Sequence, residues 1–165
     1  MGLVLLGCGT TTPGGLPAEP QPAPKTCQIG VVGSEPIGPR SLPLLDVGGI
    51  RPITITGELA SMVLQLVGTE VELCGAIEGP DKLRAMQVET VQLRSVGGQA
   101  AHLGRIVARG GGTWSLIVVP TGREIALDNV PARIQATASD RWIWVSGRWR
   151  DDRFAVVSFG VVTLP

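Results

Sequence analysis

The chain of 165 residues contains no tyrosine, one histidine and three cysteines, and only 17% of its residues are charged. Nucleophilic catalysis and zinc binding both need several histidine, cysteine or carboxylate side chains brought together. His102 is the single histidine, and neither a CxxC nor an HxxxH pattern occurs. The sequence therefore predicts a protein without catalytic residues, metal or cofactor, and thus not an enzyme.

Long hydrophobic runs and an excess of one charge are also lacking. No stretch approaches the roughly 18 uninterrupted apolar residues of a membrane-spanning helix. Fourteen Lys and Arg residues balance fourteen Asp and Glu residues, so that no net charge attracts the chain to nucleic acid, and we regard nucleic-acid binding as unlikely. The 23 glycines and 13 prolines argue against a helical protein.

The first eight residues contain a short apolar run that ends in Leu5-Leu6-Gly7-Cys8. This tetrapeptide resembles a bacterial lipobox, and residues 1–8 then form a truncated lipoprotein signal. The resemblance implies that Cys8 is acylated and anchors an exported protein to the membrane, facing the periplasm or the cell exterior. Residues 6–10 also resemble the first strand of metallo-β-lactamase-fold proteins, but that family needs a His-rich metal motif that His102 alone cannot supply.

Residues 9–26 carry five of the thirteen prolines and almost no large apolar side chains. Such a composition cannot bury enough surface to fold, so we interpret residues 9–45 as a tether. With Cys8 lipidated, Cys27 and Cys74 remain as a pair, and a disulfide between them would attach the tail to the folded part. Alternatively, Cys74 is a small buried apolar residue of a strand.

From residue 50 onward, short alternating strands separated by turn residues predict an all-β protein. Three strands, a helical turn and two further strands follow one another in residues 97–165. This is the order of a small OB (oligonucleotide/oligosaccharide-binding) barrel, so we predict a five-stranded OB-like unit there. The expected strands are residues 103–109, 113–119, 123–128, 141–149 and 153–163, with the helical turn within 130–139.

Residues 46–96 look like a related but degenerate unit. Residues 71–75 align with 143–147, and residues 83–93 align with 154–164, at a nearly constant offset that suggests a duplication. The third strand is expected at residues 53–57 and the helical turn at 58–67. The first two strands are not evident, and residues 28–32 and 43–47 are the candidates.

The succession of a helical turn, a strand with glycine and a final strand resembles small exported bacterial OB-fold domains, many of them lipoproteins of unknown function. The resemblance covers residues 50–165. It implies a non-enzymatic envelope module that binds a ligand or a partner, such as a glycan or another envelope protein. A purely structural envelope lipoprotein and an oligosaccharide- or nucleic-acid-binding OB protein are the alternatives.

Arginine and tryptophan are concentrated in the C-terminal part. Residues 94–165 hold all four tryptophans and nine cationic residues, all arginine. On the strand predicted near residues 141–149, Trp142, Trp144, Arg148 and Arg150 share one face. These four side chains would suit stacking on sugars, bases or anionic ligands, and we predict them as ligand-binding residues. Alternatively, they pack between the two units.

Overall fold

The computed structural model describes residues 24–49, 51–79, 84–136 and 141–163. The predicted all-β class is confirmed, because ten strands and two short helices make up most of this part of the chain. The strands are β1 (Lys25–Ile37), β2 (Arg40–Asp46), β3 (Ile53–Thr56), β4 (Thr69–Glu78), β5 (Ala85–Val96), β6 (Gln99–Ala108), β7 (Trp114–Val118), β8 (Glu124–Asp128), β9 (Trp142–Arg150) and β10 (Arg153–Val162). The helices are α1 (Ala60–Leu64) and α2 (Ala132–Gln135), and a 3-10 turn covers Gly110–Gly112.

The ten strands belong to one sheet. Within it, the strand pairs of each half form a closed ring of five strands. In the first half, residues 24–96, β1 pairs with β2 and β4, β3 pairs with β2 and β5, and β5 pairs with β4. In the second half, residues 99–163, β6 to β10 repeat this scheme. Only β3–β5 and β8–β10 are parallel pairs among the described strands. The hairpin between β5 and β6 joins the halves.

The two halves also agree in register. The pairs of Cys27 with Cys74 and Ile29 with Glu72 correspond to those of Ala101 with Ser146 and Leu103 with Trp144. The pair of Gly75 with Val88 corresponds to that of Gly147 with Val156. In both halves a β-bulge then leaves one residue of the last strand unpaired, Glu89 or Val157.

Gly75 and Gly147 occupy equivalent places of close backbone approach. A Cβ atom at either position would lie 2.0 Å from a carbonyl oxygen of the last strand, that of Gln87 or Ala155. Only glycine fits such a contact. The alignment of these two glycines in the sequence therefore matches equivalent positions.

The sequence alignment of residues 83–93 with 154–164 is wrong. The register makes Val88 equivalent to Val156, whereas the alignment places Val88 opposite Phe159. The reason is a loop of different length, because residues 79–84 join β4 to β5 and residues 151 and 152 alone join β9 to β10.

The predicted tether over residues 9–45 also needs correction, because β1 and β2 occupy residues 25–37 and 40–46. The first half thus has as many strands as the second and is not degenerate. The candidate strands at 28–32 and 43–47 fall on β1 and β2. Residues 1–23, with Cys8, lie outside the described residues.

β2 contains a proline, Pro43. It is tolerated because β3 pairs with β2 only at Leu44 and Leu45, so that no hydrogen bond between β2 and β3 is lost at Pro43.

Two apolar clusters form the core. The first is built from β1 to β5 and α1, and it includes Ala101, Leu103 and Val162 of the second half. The second is built from β6 to β10 and α2, around the fully buried Phe154. Because strands of the second half contribute to the first cluster, the halves share buried surface. Among the described residues, no helix is long and apolar enough to span a membrane.

Candidate functional site

The four residues predicted to bind a ligand separate into two pairs along β9. Trp142 and Trp144 are half-buried and pack against the first apolar cluster. The Nε1 atom of Trp142 is buried and has no hydrogen-bond partner among the described residues. The structure thus places both tryptophans between the halves, at the location of the alternative prediction.

Arg148 and Arg150 instead border an open cleft of about 440 Å³. Asp128, Asn129 and Val157 line the same cleft, which lies beside β9, β10 and the end of β8. Both arginines are exposed, and neither forms an ion pair or a side-chain hydrogen bond with another described residue. Two guanidinium groups are therefore available to an external anion.

A second cleft of about 480 Å³ adjoins the first, because Arg148 lines both. Its other lining residues include Gln99 at the start of β6 and Trp149, of which 46% is exposed. We call the combined surface the arginine groove. Its principal side chains are Gln99, Asp128, Asn129, Arg148, Trp149 and Arg150. Since successive residues of a strand alternate in direction, Arg148 and Arg150 lie on one face of β9 and Trp149 on the other, and the two clefts meet at the edge of the strand.

The indole of Trp149 is held by three neighbours. The ring centroids of His102 and Phe154 lie 6.1 and 5.4 Å from it, both in edge-to-face geometry, and the Arg123 guanidinium lies 5.9 Å above it. His102 also contacts Phe154 at 4.9 Å. Such contacts restrict the orientation of an exposed aromatic ring before any ligand arrives.

Burial lowers the pKa of His102 below its usual 6.5, and the nearby positive charge of Arg123 lowers it further. The imidazole is therefore uncharged at neutral pH. Its Nε2 atom is buried and has no hydrogen-bond partner among the described residues. His102 acts here as part of an aromatic support for Trp149.

The first half provides an internal comparison for the groove. In the common register, Arg148, Trp149 and Arg150 are equivalent to Ala76, Ile77 and Glu78. The same strand therefore forms in the first half without two arginines and a tryptophan. Strand pairing therefore does not require these three side chains.

The cleft chemistry suits an anionic ligand that also has hydroxyl groups. Guanidinium groups bind carboxylates or phosphates through two parallel hydrogen bonds. The exposed carboxylate of Asp128 accepts hydrogen bonds, and Asn129 contributes an amide that already donates to the Val156 carbonyl at 3.4 Å. An exposed indole offers a flat apolar surface for a ring.

Cys27 and Cys74 are joined by a disulfide on the first half, with Cα atoms 4.0 Å apart. The bond links β1 to β4, so it does not attach a flexible tail to the folded part. The Glu72 carboxylate lies close to both sulfur atoms, within a group of donor atoms at most 4.8 Å apart. Because the sulfurs are bonded to each other, they are not free thiolate ligands.

No protein-family model matches the chain, and no curated protein matches it. The site therefore rests on geometry. Sequence reasoning missed Gln99, Asp128, Asn129 and Trp149, because their proximity depends on strand neighbours that the sequence does not specify. The difference between residues 148–150 and residues 76–78 is the sequence signal that distinguishes this strand end.

Proposed function

We propose that this chain is a non-enzymatic, membrane-anchored envelope lipoprotein made of two OB-like units, and that it binds a ligand or partner in the arginine groove. The pairing scheme supports the OB-like assignment. In each half the strands are ordered first, second, third, fifth and fourth, the fourth pairs with the first, and a short helix lies between the third and fourth. A five-stranded barrel of the OB type has these features.

One observation carries the binding role. The second half has arginine, tryptophan and arginine where the first half, with the same register, has alanine, isoleucine and glutamate. Both arginines lack an intramolecular ion pair within the described part of the chain and face clefts of a size that takes small ligands. Exposed cations without intramolecular partners favour ligand contact over packing.

The binding role is tested by replacing the three side chains with those of the first half. The groove variant is Arg148→Ala, Trp149→Ile, Arg150→Glu. The control variant, Arg40→Glu with Arg105→Val, changes the net charge equally at exposed sites outside the groove. Calorimetric titration of glycans, peptides and single-stranded oligonucleotides should give binding that the groove variant loses and the control retains. Equal binding by parent and groove variant would contradict the proposal.

The membrane anchor needs a separate test. Cells that express the full chain should incorporate a labelled fatty acid into it, and Cys8→Ser should abolish the label. Recovery of unlabelled parent protein from the soluble fraction would refute the anchor, whatever the outcome of the titrations.

A purely structural envelope role is the second candidate. The packing of Trp142 and Trp144 between the halves favours it, since half of the predicted binding residues serve the fold. This role predicts that none of the titrated compounds binds and that both variants behave as the parent does.

A further inference from the structure

We propose that the arginine groove takes an acidic glycan, a chain of sugars that carries carboxylate groups. The inference rests on the proposed binding function and names the ligand class. It follows from the spacing of the cations, from the carboxylates beside them and from the exposed tryptophan.

Arg148 and Arg150 present two cationic groups in a row. They lie two residues apart on β9, hence on the same face and roughly 7 Å apart along the strand. Each guanidinium can hold one carboxylate by a pair of hydrogen bonds. The groove can thus hold two anionic groups of one extended molecule.

The surroundings disfavour a densely charged polymer. Asp128 lines the same cleft as both arginines, and Asp151 and Asp152 form the exposed turn that directly follows Arg150. Asp128 in the cleft and the two aspartates of the adjoining turn would repel a polymer with a phosphate on every unit. A glycan has fewer charges, and its hydroxyl groups can donate hydrogen bonds to Asp128.

Trp149 favours a sugar chain over an acidic peptide. The exposed indole can pack against the apolar face of a sugar ring, and His102 and Phe154 hold it in place. Along residues 147–150, β9 pairs with β10, while its register with β6 covers only residues 143–146. An acidic peptide could add a strand at this end of β9, so the polyglutamate peptide in the test below is the competing ligand.

The test is a calorimetric titration of the full chain with a hyaluronan oligosaccharide, which carries a carboxylate on every second sugar, and with its carboxyl-reduced, uncharged counterpart. We expect the acidic oligosaccharide to bind at least about tenfold more tightly than the reduced one, the loss expected when charged hydrogen bonds are missing. The groove variant should lose about as much affinity, while the Arg40→Glu, Arg105→Val control keeps it. Trp149→Ala should weaken the binding of both oligosaccharides, since it removes the aromatic surface, and matched thermal unfolding of the variants shows that they are folded.

Different failures lead to different conclusions. If the reduced oligosaccharide binds as tightly as the acidic one, or neither binds, the inferred ligand class is wrong. If a single-stranded oligonucleotide or a polyglutamate peptide binds more tightly and the groove variant abolishes that binding, the ligand class is wrong while the binding function stands. If the groove variant binds every probe as the parent does, both proposals are wrong.

Discussion

Gly160 of β10 leaves room for the indole of Trp144. A Cβ atom at this position would lie 2.4 Å from Nε1 of Trp144, which packs against the first apolar cluster. The tryptophan would have to leave its place between the halves to relieve the contact.

Gly160→Ala should therefore lower the free energy of unfolding by about 1–3 kcal/mol, the usual effect of overpacking. Gly33→Ala is the matched control, because its Cβ would meet its nearest atom at 4.0 Å. Urea denaturation measures both. Equal midpoints for the two variants would show that Trp144 moves without cost.

His102 is uncharged and half-buried beside Arg123, and its pKa is lowered by burial first and by that arginine second. The unfolded chain binds a proton near the usual value of 6.5, whereas the folded chain resists it. Stability is thus fully present above pH 6.5 and falls as the pH drops from there to the lowered pKa of the folded state.

We expect His102→Phe to flatten this acid-side loss of stability. Denaturant midpoints of parent and variant, measured at several pH values on either side of about 6.5, provide the comparison. The difference between the two curves isolates the histidine from the carboxylates. Parallel curves would show that His102 has the same pKa in the folded and unfolded chain.

The sequence predicts part of the site, because strand alternation alone places Arg148 and Arg150 on one face. It could not separate them from Trp142 and Trp144 on that face. The separation depends on which end of β9 the first half covers. Asp128 comes from β8, and it lies near Arg148 because β10, which pairs with β9, also pairs with β8.

The disulfide of the first half has no counterpart in the second. Ala101 and Ser146 occupy the equivalent paired positions of β6 and β9, so this ladder forms without a covalent link. The disulfide closes a sequence separation of 47 residues. Its main expected effect is to restrict the unfolded chain.

Cys27→Ala with Cys74→Ser should therefore leave the fold and the ligand affinity intact and lower the free energy of unfolding by about 2–4 kcal/mol. The substitutions copy the small side chains of the second half. Circular dichroism and urea denaturation measure the effect, with reductant added to the parent as a control. Loss of folded structure in the variant would mean that the disulfide is required for the ladder itself.

Strands with regular alternation could be predicted, and β7, β8 and β9 lie within a residue or so of their expected bounds. β1 was only a candidate strand at residues 28–32, because its outward side chains include Ile29 and Val31, each 47% exposed, so that no polar-apolar alternation marks its full length. Its neighbourhood is also rich in proline, which is typical of linkers. The lengths of the turns could not be predicted from the sequence either. The turn before β5 is longer than the turn before β10, and this difference caused the wrong alignment of residues 83–93 with 154–164.

The two halves are held in one arrangement by apolar packing and by a reciprocal pair of hydrogen bonds. The Gln65 side chain after α1 donates to the Thr163 carbonyl and accepts from the Thr163 amide, both at 2.8 Å. Trp142 and Trp144 cover the same side of the first half. Two small units gain a larger shared core in this way.

One face of β9 packs against the first half, and the equivalent face of β4 is not covered in this way. Glu70 and Glu72 stand where β9 has Trp142 and Trp144. Glu70 accepts a hydrogen bond from Ser95, and Glu72 one from Arg94. A charged and hydrogen-bonded face of this kind does not favour apolar stacking.

Glu70→Trp with Glu72→Trp should therefore make the chain self-associate as its concentration rises. Next to the exposed Ile29 and Val31, the new side chains would create an apolar face like the one that is buried between the halves. Sedimentation velocity measures the association. Glu70→Gln with Glu72→Gln removes the charges without adding apolar surface and should stay at the parent's size; association of that variant as well would assign the effect to charge.

The unequal exposure of the tryptophans has an optical consequence. Trp149 is 46% exposed at the arginine groove, whereas Trp114, Trp142 and Trp144 are half-buried, and the chain has no tyrosine to add its own emission. Iodide in solution will therefore quench chiefly the light from Trp149. A ligand bound in the groove will protect the fluorescence of Trp149 from iodide. Ligand binding can therefore be followed by intrinsic fluorescence, without an attached dye.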